Sequence, residues 1–217
     1  MHHLAAAGYR TLSLRELLDH VSGARPLSEQ AVVLTFDDGW LDNYRFAMPL
    51  LENLHFKAAF FVITARVDAA SVRGRGGEVF PCHDEAKRLI EAGHADQVVL
   101  DWKKINMVAQ TGLFEFYSHG VTHRRAADLK RDELATELRE SKQRLEQELG
   151  RPCPYLCWPY GSFTPEAVAL AVTSGYEALF TTIEGFNAVG ADRFMLKRFE
   201  VSDDLAGFRR FLAAAPS

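Results

Sequence analysis

The chain has 217 residues, 47% hydrophobic and 25% charged, with 25 Lys plus Arg, 29 Asp plus Glu and a formal net charge of −4. This describes an ordinary globular protein with room for one good-sized core, and the balance of charge gives no electrostatic case for a nucleic acid or an anionic membrane as partner. No apolar run approaches the roughly 20 residues needed to span a bilayer, and no signal-peptide pattern opens the chain, so the sequence as it stands reads as cytoplasmic.

The chain enters with a helix, in "MHHLAAAGYRTLSLRELL". "AVVLTF" (31–36) reads as a buried strand, "LDNYRFAMPLLENL" as the helix after it, and "AAFFVI" as a second buried strand. A Gly- and Arg-rich loop, "VRGRGGEVF", precedes a helix at "HDEAKRLIEAG". "DWKKINMVAQTG" predicts a short helix with Asp101 as N-cap and Gly112 near its end. "LFEFYS" alternates like a strand. In the long helix "KRDELATELRESKQRLEQELG", Leu134, Leu138, Leu145 and Leu149 share a face and Gly150 marks the stop. A strand at "CPYLCW", a helix at "TPEAVALAVTSG", strands at "YEALFTT" and "MLKRFEV" and a helix at "LAGFRRFLAAA" complete the chain. Strand–helix alternation predicts an α/β fold with a parallel sheet, open or closed into a barrel, in one domain over 1–217. Cys82, Cys153 and Cys157 are too few and too irregularly spaced for a disulfide framework or a zinc ribbon, and are expected as buried free thiols.

In such folds ligands gather at the carboxyl ends of strands. Three polar clusters follow strands here. "TFDDG" places Asp37 beside Asp38, and neighbouring acids repel unless a cation lies near. "SHGVTH" spaces His119 and His123 four apart, so that a helical turn would put both imidazoles on one face. Two histidines and a carboxylate make an open metal site of the kind used by Zn²⁺ hydrolases and Fe²⁺ oxygenases. "CWPYGSF" is by itself a Pro/Gly turn, but it falls on the same rim. Trp40, Tyr117, Trp158 and Tyr160 could stack on sugar rings, although such residues are more often simply packed.

"TFDDG", "SHGVTH" and "WPYG", in this order and at these separations, resemble the motifs of the polysaccharide deacetylases, carbohydrate esterase family 4. The likeness runs from about Leu4 to Val201 and is greatest to the bacterial exopolysaccharide and poly-N-acetylglucosamine deacetylases. It implies an irregular (β/α) barrel of six or seven parallel strands. It implies Asp37 as general base; Asp38, His119 and His123 as ligands of one divalent ion, zinc first and Co, Ni or Fe as alternatives; and the Tyr160 N–H as an oxyanion contact. Trp40, Trp158, Pro159, Tyr160 and Arg198 would line the substrate site, and the partner would be an N-acetylated glycan losing its acetyl group.

The chain departs from the family pattern at four places. Gly120 stands where Ser or Thr is usual after the first histidine, which should loosen that loop. Cys157 and Trp158 occupy the third motif where an arginine usually orients the base; Arg198 is a candidate replacement, or a surface or structural cation. No histidine follows His123, so the catalytic acid is unassigned. The front lacks the family's first strand. The sequence therefore predicts an incomplete barrel with a gap beside 31–36, and an envelope or exported location if a front segment is missing. Two other readings remain open: a glycan-binding domain that has lost catalysis, and a non-haem Fe²⁺ oxygenase, which usually uses a different, double-stranded β-helix fold.

Overall fold

The apolar runs become strands, and the segments with one apolar face become the helices that cover them. The computed structural model describes residues 1–73, 76–201 and 204–213. Its elements run α1 (His2–Ala6), β1 (Arg10–Thr11), α2 (Leu14–Val21), β2 (Ala31–Val32), β3 (Thr35–Asp38), α3 (Met48–Asn53), β4 (Ala58–Val62) and α4 (Thr64–Arg73). They continue through α5 (His83–Glu91), α6 (Trp102–Ala109), β5 (Phe114–Ser118), α7 (Arg131–Leu149), β6 (Tyr155–Cys157), α8 (Pro165–Thr173), β7 (Ala178–Phe180) and α9 (Leu205–Ala213). Among the described residues, one parallel sheet has the order β3-β4-β5-β6-β7, and β1 pairs with β2 in a second, two-stranded sheet.

Strand β4 is buried along its whole length, as a parallel strand covered on both faces must be. Register sets Phe60 opposite Phe36 and Phe116, and the three rings stack with centroids 4.9 and 5.2 Å apart. On that same outer face, further along the sheet, Leu156 and Leu179 pack against Leu134 and Leu138 of α7 and Ala167 and Ala171 of α8. Alternation turns Asp37, Phe61, Tyr117, Cys157 and Phe180 to the other face. There Phe61 of β4 meets Phe180 of β7 with centroids 5.1 Å apart, although two strands lie between them in the sheet. The sheet is therefore curled into a half-barrel, with this face concave.

Asp101 caps α6 by accepting the Lys104 N–H at 2.7 Å, and Gly150 ends α7 in the left-handed conformation, φ 63°, both as the sequence predicts. Several expectations are corrected. The opening segment contains two short helices with β1 between them. Residues 31–36 are not one strand: Ala31 and Val32 pair with Arg10 and Thr11, whereas Thr35–Asp38 pairs with β4. The main sheet has five strands among the described residues, not six or seven. The segment 195–201 adds a single parallel bridge, Leu196 to Phe180. The Asn187 side chain takes the N–H and the C=O of Lys197, which point away from β7 and so close the outer edge of the segment. Cys82, expected buried, is exposed just before α5.

Glu16 ties the small sheet to the large one. It accepts from Arg10 Nη1 and Lys57 Nζ, both at 2.8 Å, and from the Ser13 N–H at 2.8 Å. Burial alone would raise its carboxyl, but Lys57, Ser13 and Arg10 hold it at about 2. No helix among the described residues is long and apolar enough to cross a membrane.

Candidate active site

Strand β3 ends in an abrupt turn. Asp38 and Gly39 both take the left-handed region, φ 71° and 78°, which swings Asp38 out of the pleat. The two carboxylates therefore do not simply point to opposite faces. A Cβ on Gly39 would lie 3.1 Å from Val62 Cγ1, so glycine suits both the backbone and the space there. His123 (φ 64°) and Tyr160 (φ 57°) are also left-handed. Such conformations cost about 1–2 kcal/mol in a non-glycine residue, and three of them converge on this one mouth.

The histidine loop follows β5. The His119 N–H donates to Val62 O at 2.9 Å, continuing the β4–β5 ladder. Its Nδ1 donates to the Cys157 carbonyl at 2.8 Å, so the Nε2 lone pair faces inward, 3.5 Å from Asp38 Oδ1. His123 Nε2 lies 3.2 Å from the same oxygen. The loop is not loosened at Gly120. Glu137 of α7 accepts the N–H groups of Val121 and Thr122 at 2.8 and 3.0 Å and also the Thr122 hydroxyl. A Cβ at Gly120 would lie 3.2 Å from that carboxylate. The first turn of α4 adds bonds from the Thr64 and Ala65 N–H groups to the Gly120 and Val121 carbonyls.

Asp38 Oδ1 is buried without a hydrogen-bond partner. Burial pulls His123 down to about 4, which keeps it neutral near pH 7. One carboxylate oxygen and two imidazole nitrogens thus face one another, within 4.8 Å. Ligands about 2.0–2.2 Å from a tetrahedral ion stand about 3.3–3.6 Å apart, close to the 3.5 and 3.2 Å separations from Oδ1. The three residues fit a divalent cation. His119 has the usual outer partner, a backbone carbonyl, while His123 Nδ1 is buried with none.

Asp37 is held differently. Arg198 Nη1 and Nη2 reach its two oxygens at 2.8 Å each, and Arg198 also donates to Thr35 Oγ1 and to Thr181 O. Arg198 is therefore no surface cation, and its guanidinium spans the seam between β3 and the end of β7. Cys157 Sγ lies 3.6 Å from Asp37 Oδ2 and 2.9 Å from Arg198 Nη2. Burial and the nearby Asp37 push its thiol well up. Burial works to raise the Asp37 carboxyl, but the Arg198 hydrogen bonds and charge, together with His119, hold it below the usual carboxylate range.

Of the expected substrate residues, Tyr160 is 50% exposed; its ring lies against His123, centroids 4.4 Å apart, and under the Arg125 guanidinium. Trp40 donates its indole N–H to Asp38 Oδ2 at 3.2 Å. Pro159 is buried, and Trp158, only 1% exposed, packs with Phe163, so its ring has no free face for a sugar. Arg198 is committed to Asp37 rather than to the groove. Sequence reasoning missed Glu137, whose wheel position on α7 looks like one more solvated acid, and it missed the contacts of Cys157.

The sequence pattern of one family, polysaccharide deacetylase, matches residues 24–179. The chain belongs to the polysaccharide deacetylase family. It is 25% identical over 200 residues to YxkH of Bacillus subtilis, covering 92% of this chain and 62% of that protein. It is also 25% identical over 211 residues to the poly-β-1,6-N-acetyl-D-glucosamine N-deacetylase of Escherichia coli, covering 82% of this chain and 29% of that protein. The chain thus spans less than two thirds of the length of these curated relatives. The deacetylase PplD of Streptococcus pyogenes superposes with a TM-score of 0.80 at 24% identity, over 99% of this chain and 84% of the other. IcaB of Ammonifex degensii gives 0.77 at 24%, over 98% and 84%. These two likenesses establish the deacetylase fold.

Proposed function

We propose that this chain is a divalent-metal-dependent N-deacetylase acting on a glycan that contains N-acetylhexosamine, with a β-linked N-acetylglucosamine polymer as the first candidate. The observation that carries the reading is the buried, unpartnered Asp38 Oδ1 facing the inward nitrogens of His119 and His123. Those three residues would hold the ion, zinc by preference. Bound there, the ion supplies Lewis-acid polarisation of the amide carbonyl and of a water.

The other roles belong to side chains of this chain. Asp37, kept ionised and fixed in orientation by the two-pronged Arg198 contact, takes the proton from the attacking water. Arg198 stands in for the family arginine that the third motif lacks, and Cys157 fills the space beside it. The Tyr160 N–H, presented by a left-handed backbone, serves the developing oxyanion. The Tyr160 ring offers an exposed face to the sugar. The test is zinc content together with acetate release from N-acetylglucosamine oligomers, wild type beside Asp37→Asn. Stoichiometric zinc with acetate release lost only in the variant supports the reading. Zinc-loaded wild type that releases no acetate overturns it in favour of a glycan-binding domain.

A further inference from the structure

Only one oxygen of Asp38 faces the two histidines. The other, Oδ2, accepts the Trp40 indole N–H and lies 3.9 Å from Nε2 of His83. His83 is the first residue of α5, in the long segment between β4 and β5. Its ring stands edge-on to Trp40, with centroids 4.9 Å apart and planes at 88°, and its side chain is 58% exposed. The stretch after Asp38 is stitched to this segment by backbone bonds. Trp40 bridges antiparallel to Val99, Leu41 N donates to Val98 O at 2.9 Å, and Leu100 N donates to Gly39 O at 3.0 Å. Arg66 covers the Trp40 ring, its guanidinium carbon 5.8 Å from the centroid. His83 is thus held at the mouth by Trp40, without being anchored in the core.

At 3.9 Å, His83 Nε2 is beyond direct hydrogen-bond reach of Oδ2. Among the described residues the imidazole makes no hydrogen bond of its own. Arg66 Nη1, beside Trp40, is buried without a partner; the Trp40 N–H is committed to Asp38 and Arg198 to Asp37, Thr35 and Thr181, and the exposed His83 ring is a free donor at the mouth. A bound sugar whose acetamide lies against Asp38 would bring an acceptor oxygen past this uncommitted donor. We propose that His83 contacts the substrate, its ring N–H donating to an oxygen of the sugar that undergoes deacetylation. The proposal rests on the N-deacetylase reading. It needs only an N–H, which a neutral imidazole provides, and it gives the long β4–β5 segment a part in binding that the strand-end motifs do not contain.

The experiment uses His83→Ala and His83→Gln in the zinc-loaded protein. It follows acetate release, zinc affinity by chelator competition, and binding of an N-acetylglucosamine pentamer by calorimetry in an Asp37→Asn background. His83→Ala should lower kcat/KM about tenfold, the scale of one lost hydrogen bond, and weaken pentamer binding while zinc affinity stays unchanged. His83→Gln, whose amide can place an N–H near the same point, should recover most of that loss. The proposal is overturned if His83→Ala leaves kcat/KM and pentamer binding intact. It is also overturned if zinc affinity falls in step with activity, or if Gln is as impaired as Ala. Wild type that binds zinc and the pentamer but releases no acetate sinks the deacetylase reading instead, and the pentamer measurement still decides the contact.

Discussion

Two adjacent aspartates can do different work only if the backbone separates them, and the left-handed Asp38 does so. Asp37→Asn should therefore keep its zinc while turnover falls by roughly 10² to 10⁴, the range for a lost general base. Asp38→Ala should lose both. Equal zinc retention in the two proteins would contradict the division of labour. Arg198→Lys tests the orienting contact: lysine keeps the charge but cannot grip both oxygens. It should lower kcat roughly 10- to 100-fold, as misplacement of a reacting group does, with KM and zinc content little changed. A fall in KM-controlled binding alone would instead make Arg198 a substrate residue. The aspartates and histidines were legible because their spacing carries chemistry. Arg198 was legible only as one of several options, because an arginine 161 residues away from Asp37 has no local pattern that pairs it with an acid.

Among the elements, α7 does more than cover the sheet. Its Glu137 grips the loop between the two histidines from the solvent side. Glu137→Ala should leave α7 folded, since its buried face is Leu134, Leu138 and Leu145. Zinc affinity should drop about 10- to 100-fold, the usual cost of removing an outer-shell support. Chelator competition reads this directly, and an unchanged affinity would show the loop to be held by α4 alone. Long, strongly periodic elements such as α7 and the all-apolar β4 were readable because burial dictates their pattern. The ends of the chain were not. Arg10–Thr11 is too short to show alternation, and at 195–201 only Leu196 forms a ladder bridge, to Phe180, which no strand propensity specifies.

Across the molecule, two linkages should be measurable. A bound ion joins the end of β3 to the loop after β5. Zinc at 100-fold over its Kd should therefore stabilise the fold by about 2.7 kcal/mol, and for a domain near this size that is a rise in Tm of roughly 5–10 °C. Asp38→Ala should show no such rise. The second linkage is at the small sheet. Glu16 has its carboxyl held at about 2 in the fold, against 4.5 unperturbed. Its contribution is complete above about pH 4.5 and is lost as pH falls through about 2. The stability gap between wild type and Glu16→Gln should be constant from pH 7 to 5 and shrink below, as followed by urea unfolding. A gap independent of pH would remove the ion-pair account.

The seam that Arg198 spans also sets a timetable. A chain emerging from the ribosome presents Asp38, His119 and His123 well before Arg198, and the strands that carry them, β3 and β5, flank β4 in the sheet. On the proposed reading, a nascent chain would gather its three metal ligands while Asp37 is still without its arginine. The last strand-like segment arrives late and crosses back over the whole sequence to fix Asp37. On that reading hydrolytic competence would be a certificate of late folding: a copy lacking the Arg198 contact would hold an ion without an oriented base.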